Sequence, residues 1–116
     1  MVVLNEGLNK IRDLLNSNID EGDWGAGTAT ELPTDTGLQA EISSIEVATS
    51  NLTADKTIQI TAVLPSTAGT GNVIAEHVVR FSDGTELSRT TFTGITKTES
   101  KEIHNISTFV LTTPSQ

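Results

Sequence analysis

Two histidines, fifteen carboxylates and seven Lys or Arg side chains carry almost all the acid–base chemistry of this 116-residue chain, which has no cysteine and no tyrosine. Thiol nucleophiles, disulfides and zinc–thiolate sites are therefore excluded. His77 and His104 each fall in a strand-like run, so both are expected to be structural or surface residues and not general bases. Serine and threonine are plentiful, yet none lies in the G-x-S-x-G setting that activates a hydroxyl. Gly25-Ala26-Gly27 lacks the further glycine and the lysine of a phosphate loop, and no strand is expected before it. Asp20, Glu21 and Asp23 gather oxygen ligands of the kind a hard cation such as calcium prefers. Their spacing misplaces the glycine and the distal glutamate of an EF-hand, so a solvated acidic loop is expected. The residues thus point to no catalytic group, no cofactor and no metal.

The elements that must position these side chains can be read from periodicity. Residues 3–15 form the expected helix: Leu4, Leu8, Ile11 and Leu15 recur at three-and-four spacing, with Gly7 and Leu14 beside them. Asn5 can cap its start, Glu6 suits the positive end of the dipole, and Asn16-Ser17-Asn18 is expected to stop it. A stripe this apolar must be covered by the chain's own sheet or by a partner. Residues 16–39 read as a long ordered loop, where Gly25 and Gly27 permit close backbone approach or positive φ around Trp24. Asp35 or Thr36 would cap a short helical turn through Leu38-Gln39-Ala40 and pin that loop.

From residue 40 to 113 the pattern is antiparallel β. Ile45, Val47 and Thr49 alternate with polar or small residues, as do Ile58, Ile60, Ala62 and Leu64; further runs cover 73–81, 86–93 and 103–112. Asn51 to Asp55, Pro65 to Gly71 and Gly94 read as strand ends. Ser82-Asp83-Gly84-Thr85 reads as a two-residue hairpin turn, with Phe81 facing Glu86 and Val79 facing Ser88. Arg89 and Glu76 would then pair on an exposed hairpin face, worth well under ~1 kcal/mol. Lys97 would end its strand with the charge outside. The fold class is mainly β: an antiparallel β-sandwich with one N-terminal amphipathic helix, in a single domain over 1–116.

The net charge of −8 narrows the partners. Nucleic-acid binding rests on phosphate neutralisation by Lys and Arg, and an anionic membrane surface asks for the same residues. Neither partner is expected. The start MVVLNEGLNKIRDLL has charges inside its apolar stretch and is not read as a signal peptide. What remains is surface for protein contact, with Leu4, Leu8, Ile11, Leu15 and Trp24 as the candidate interface.

Three stretches in order carry a resemblance. They are Gly7-Leu8-Asn9-Lys10-Ile11-Arg12-Asp13-Leu14-Leu15, then Gly25 to Leu38 with Glu41, then Glu76 through Asp83-Gly84-Thr85-Glu86-Leu87-Ser88-Arg89 to Phe92 and Ile95-Thr96-Lys97-Thr98. This order resembles a family of small tail-fibre-like virion proteins of tailed phages and archaeal tailed viruses. The stretch from Thr49 to Gly71 has no counterpart there. The resemblance implies a virion structural protein, tail- or fibre-associated, located in the virion. It would act by docking to other virion proteins and by self-assembly, as a homo-oligomer with a trimer expected from three-fold positions. A capsid decoration (cement) protein is the alternative. A carbohydrate-binding module for host attachment, with Trp24 as its stacking platform, is a third reading from another class.

Overall fold

Ile58, Ile60, Ala62 and Leu64 are all buried while the residues between them are half-exposed, so the period-two pattern of this run does set the face of a sheet. The computed structural model describes residues 2–43 and 48–112. Its elements are α1 (Asn5–Asn18), β1 (Ile19–Gly25), β2 (Glu41–Ser43), β3 (Ala48–Ala54), β4 (Thr57–Leu64), β5 (Val73–Phe81), β6 (Glu86–Thr96) and β7 (Ile103–Val110). One antiparallel sheet has the order β2-β1-β5-β6 and the other β3-β4-β7. The protein is mainly β, a sandwich with one N-terminal amphipathic helix, as its sequence leads one to expect. Between the sheets Ile19, Trp24, Ala48, Ile74, Val79 and Ile103 join the β4 residues in one core.

β5 is one of the two inner strands of its sheet and is buried on both faces over most of its length. His77 and Val79 turn inward. Glu76 and Arg80 turn outward, beneath and beside segment 26–40. Successive side chains of a strand point to opposite faces, so adjacent residues here serve two separate polar environments.

Several expectations need correction. The helix begins one residue after Leu4, which takes the N-cap position without a side-chain cap; Asn5 is already helical, and its Oδ1 accepts from Lys56 Nζ. The helix does not stop at Asn16. Ser17 Oγ donates to the Asp13 carbonyl and Asn18 Nδ2 to the Leu14 carbonyl, at 2.9 and 2.7 Å. These polar side chains satisfy the last turn where they were expected to break it. The chain then passes straight into β1, so residues 19–25 are a strand and not part of a loop. Asp20, Glu21, Gly22 and Asp23 have poor strand propensity, and pairing with β5 and β2 overrides it.

Asn51 to Ala54 continue β3, with the turn made by Asp55 and Lys56, whose φ is 55°. Gly94 lies inside β6, in a bulge where Ile74 pairs with Ile95 and Glu76 with Thr91; a Cβ on Gly94 would stand 2.6 Å from Val73 Cγ1. The β5–β6 turn has three residues: Gly84 N–H donates to Phe81 O, and Phe81 N–H to Thr85 O. Only Gly84 has positive φ there, so Arg80 and not Phe81 faces Glu86, while Val79 faces Ser88 as expected. Asp35 caps no helical turn, since its carboxylate turns back to accept the Leu32 N–H. Ile45 and Val47 lie outside the described residues.

Candidate functional site

The outer face of the larger sheet is built around two arginines. Arg80 on β5 meets Glu21 and Asp23 of β1, Glu41 of β2 and Glu86 of β6. The Arg80–Asp23 contact is the closest of these, and Asp23 is fully buried. The three carboxylates singled out in sequence are thus split. Asp20 is exposed at the irregularity between Ile19 and Glu21, while Glu21 and Asp23 both pair with the Arg80 guanidinium. Among the described residues no group of three or more His, Asp or Glu side chains could hold a metal ion.

Glu76 is the second hub. Its Oε2 accepts from the N–H groups of Gly27 and Ala40, and its Oε1 from the Gln39 N–H and from Arg89 Nε at 3.1 Å. Burial raises its pKa, but these four donors outweigh burial, and the carboxyl stays below its ordinary value. Arg89 in turn donates to the Ala29 carbonyl and to Asp35. The Glu76–Arg89 pair foreseen in the sequence does form, but with the Arg89 side chain 7% exposed and Glu76 at 0% it is a buried pair and not a surface one. Gly25 and Gly27 are needed for close approach and not for positive φ: a Cβ on either would strike Glu76. Segment 26–40 is therefore strapped onto the sheet, and Glu31, which accepts from both the N–H and the hydroxyl of Thr91, fixes its far side. The Thr91 donors also hold Glu31 below the usual carboxylate range.

Inside the sandwich, Trp24 packs against His77 with ring centroids 4.4 Å apart and against Phe92 edge-on at 6.3 Å. Asn105 Nδ2 lies 3.3 Å from His77 Nδ1 and 3.2 Å from Ser107 Oγ. With that amide donating, Nδ1 accepts and the ring proton sits on Nε2. Burial pushes the His77 pKa down to about 4, so the ring is neutral near pH 7. It is sealed off, with a Cβ on Gly22 falling 2.6 Å from Nε2. His104 lies on the other sheet with its side chain exposed, 3.9 Å from Glu102, so the two imidazoles share no site. A pocket of about 510 Å³ opens between the edges of β6 and β7, lined by Trp24, Thr90, Phe92, Ile95, Ile103 and Asn105 among others. Trp24 itself has no exposed surface, so it offers no platform on which a sugar could stack.

Lys97 also departs from expectation. It is 1% exposed, and its ammonium donates to the carbonyls of Ser66 and Thr98, tying loop 65–72 to the end of β6.

The helix is anchored by polar contacts at the β3–β4 hairpin. Asn9 donates to Asp55 and accepts from the Lys56 N–H, and Arg12 donates to the Ala54 carbonyl. One flank, with Leu8 buried and Leu15 half-buried, faces the body of the protein. The adjoining flank does not: Val2 is 66% exposed, Leu4 66%, Ile11 44% and Leu14 53%. Of the five residues expected at an interface, Leu8 and Trp24 are enclosed within the chain, Leu15 is half-buried in it, and Leu4 and Ile11 remain available. Leu14 and Val2 complete the exposed strip; the helical spacing holds the signal for Leu14, but cannot say which of two adjacent apolar flanks the sheet will cover. Between this strip and the β5–β6 turn runs a groove of about 310 Å³, lined by Ile11, Leu14, Leu15, Asn18, Phe81, Ser82 and Asp83. Among the described residues no helix is long and apolar enough to cross a membrane. Comparison of the chain with known protein families, with characterised proteins and with solved structures found no match.

Proposed function

We propose that this chain is a structural component of a virus particle, associated with the tail or its fibres, that works by docking to neighbouring protein subunits and to its own kind. The observation that carries the docking reading is the apolar flank of α1. Leu4, Ile11 and Leu14 stand in solvent on a helix that Asn9, Arg12 and Lys56 hold rigidly against the body. Exposed apolar strips rimmed by polar residues mark contact surfaces, and a helix already fixed in place loses little further freedom on docking. The two arginine hubs and the Lys97 tether support the same role, because a part that transmits load needs fixed loops. The viral setting rests on the resemblance of the three sequence stretches.

The test is gold labelling of purified particles with an antibody to the chain, viewed by electron microscopy. Label on tails or fibres is expected. Label spread over the head lattice would instead support a decoration protein, and label-free particles would refute the proposal.

A further inference from the structure

We infer that two copies of this chain pair through the exposed flank of α1, as antiparallel helices about a two-fold axis, with Leu4 of each seated in the groove beside Leu14 of the other. The inference rests on the reading of α1 as a docking face and names its occupant.

Leu4, Gly7, Ile11, Leu14 and Asn18 are spaced by three, four, three and four residues. That is the seam of a two-helix contact, and it is distinct from the flank of Leu8 and Leu15 that the body covers. The two ends of the seam differ. At the N-terminal end Val2, Val3 and Leu4 project, and at the C-terminal end Ile11, Leu14, Leu15 and Phe81 enclose the groove. A parallel pair would set projection against projection and groove against groove. An antiparallel pair fills both grooves at once, which is the self-complementarity that a two-fold interface requires.

The register follows from placing Leu4 opposite Leu14 of the second copy. Gly7 then lies opposite Ile11 of the second copy, and the absent side chain leaves that isoleucine a seat. A Cβ at Gly7 would touch only Val3 of its own chain, at 3.7 Å, so the space in front of it is open.

Charge favours a like partner at this place. Residues 2–18 hold Glu6, Asp13, Lys10 and Arg12, two of each sign, so the remaining thirteen acidic and five basic residues carry the whole net charge of −8. Two copies repel least where these neutral segments meet. The area suits a weak, reversible pair. Val2, Val3, Leu4, Ile11 and Leu14, between 38% and 66% exposed, together offer roughly 400–500 Å² per copy, so two copies bury at most ~800–1,000 Å², the lower edge of what a specific interface needs. The arrangement is two-fold, in place of the three-fold one expected from the resemblance.

Sedimentation velocity on the full chain across micromolar concentrations tests the pairing. A monomer–dimer equilibrium is expected, with Leu4→Lys and Leu14→Lys each weakening it more than about tenfold while the fold stays intact, since both positions are solvent-exposed. Orientation is read separately by disulfide trapping, which the cysteine-free chain allows without background. Mixing a Leu4→Cys variant with a Leu14→Cys variant is expected to give the mixed 4–14 disulfide in excess of 4–4 and 14–14. A monomer at all concentrations, a dimer indifferent to both lysines, or an excess of 4–4 and 14–14 bonds would overturn the inference. A monomer that still labels tails defeats this pairing alone, whereas a dimer found on no particle defeats only the viral reading.

Discussion

Acidifying the protein from pH 7 to pH 5 is expected to remove a large part of its stability through one residue, His77. Its imidazole is 1% exposed between Trp24 and Asn105, and burial lowers its pKa from 6.5 to about 4. The unfolded chain therefore binds a proton between those two values that the folded chain refuses. Stability contributed by this group is fully present above pH 6.5, falls as pH drops through the window, and stops falling below about pH 4. A difference of that size corresponds to ~3 kcal/mol across the whole window, of which ~2 kcal/mol is lost by pH 5. For a domain of this length, ~2 kcal/mol moves the melting temperature by roughly 8 °C.

The acid-sensitive carboxylate Glu76 acts in the same direction but in a different range. Its folded pKa lies below the ordinary 4.5, so the stability it contributes is intact above that value and is lost only as pH falls through the folded pKa. The interval from pH 6.5 to 5 therefore isolates the histidine. General self-repulsion has the opposite sign there, because a chain with net charge −8 is relieved by acid on its way to its isoelectric point near 4.5. Urea denaturation at half-unit pH steps in 0.3 M salt, which screens the surface term, gives the curve. His77→Phe keeps a ring against Trp24 and is expected to flatten it between pH 5 and 6.5. Equal stability at pH 7 and pH 5, or an unchanged slope in the phenylalanine variant, would refute the account of a neutral buried imidazole.

Other substitutions probe the remaining supports. Glu76→Gln leaves the Arg89 guanidinium, 7% exposed, without its buried carboxylate, and is expected to cost about 3–5 kcal/mol in chemical denaturation and to speed proteolysis within segment 26–40. Gly27→Ala sets a methyl against Glu76 Oε2 and Gln39 Cβ, and should destabilise by about 1–3 kcal/mol while raising hydrogen exchange at the Gln39 and Ala40 amides. Trp24→Ala empties the centre of the core, with an expected loss of about 3–5 kcal/mol by calorimetry.

How far the sequence reveals this structure depends on whether a signal is local. The alternation in β4 is local, because each Ile or Leu reports its own face, and the sheet it implies is present. Helix α1 is legible for the same reason, but its end is not. Asn and Ser carry one set of atoms that can either compete with the backbone or complete it, and Ser17 and Asn18 complete it. β1 was not legible at all. Ile19-Asp20-Glu21-Gly22-Asp23 reads as a turn-rich stretch, and only the placement of Arg80 opposite Glu21, fifty-nine positions away, makes its acids an asset to a strand. The same holds for Lys97: spacing put its charge in water, whereas the carbonyls of Ser66 and Thr98 give it a buried place that no window of sequence around residue 97 contains.

The candidate site divides along the same line. That α1 has apolar spacing was visible, and so was the chance that a partner covers it. Which flank remains open was not, because the sequence offers two overlapping stripes, Leu8 with Leu15 and Leu4 with Ile11 and Leu14, that differ by about a sixth of a turn of helix. The choice between them is made by Asn9 and Arg12, whose bonds to Asp55, Lys56 and Ala54 fix the rotation of the helix about its own axis. Polar anchoring thus decides what apolar residues are left to do. The side chains that a reader of sequence sets aside as surface set the angle at which the hydrophobic flank is offered, and through that angle the geometry of whatever docks on it.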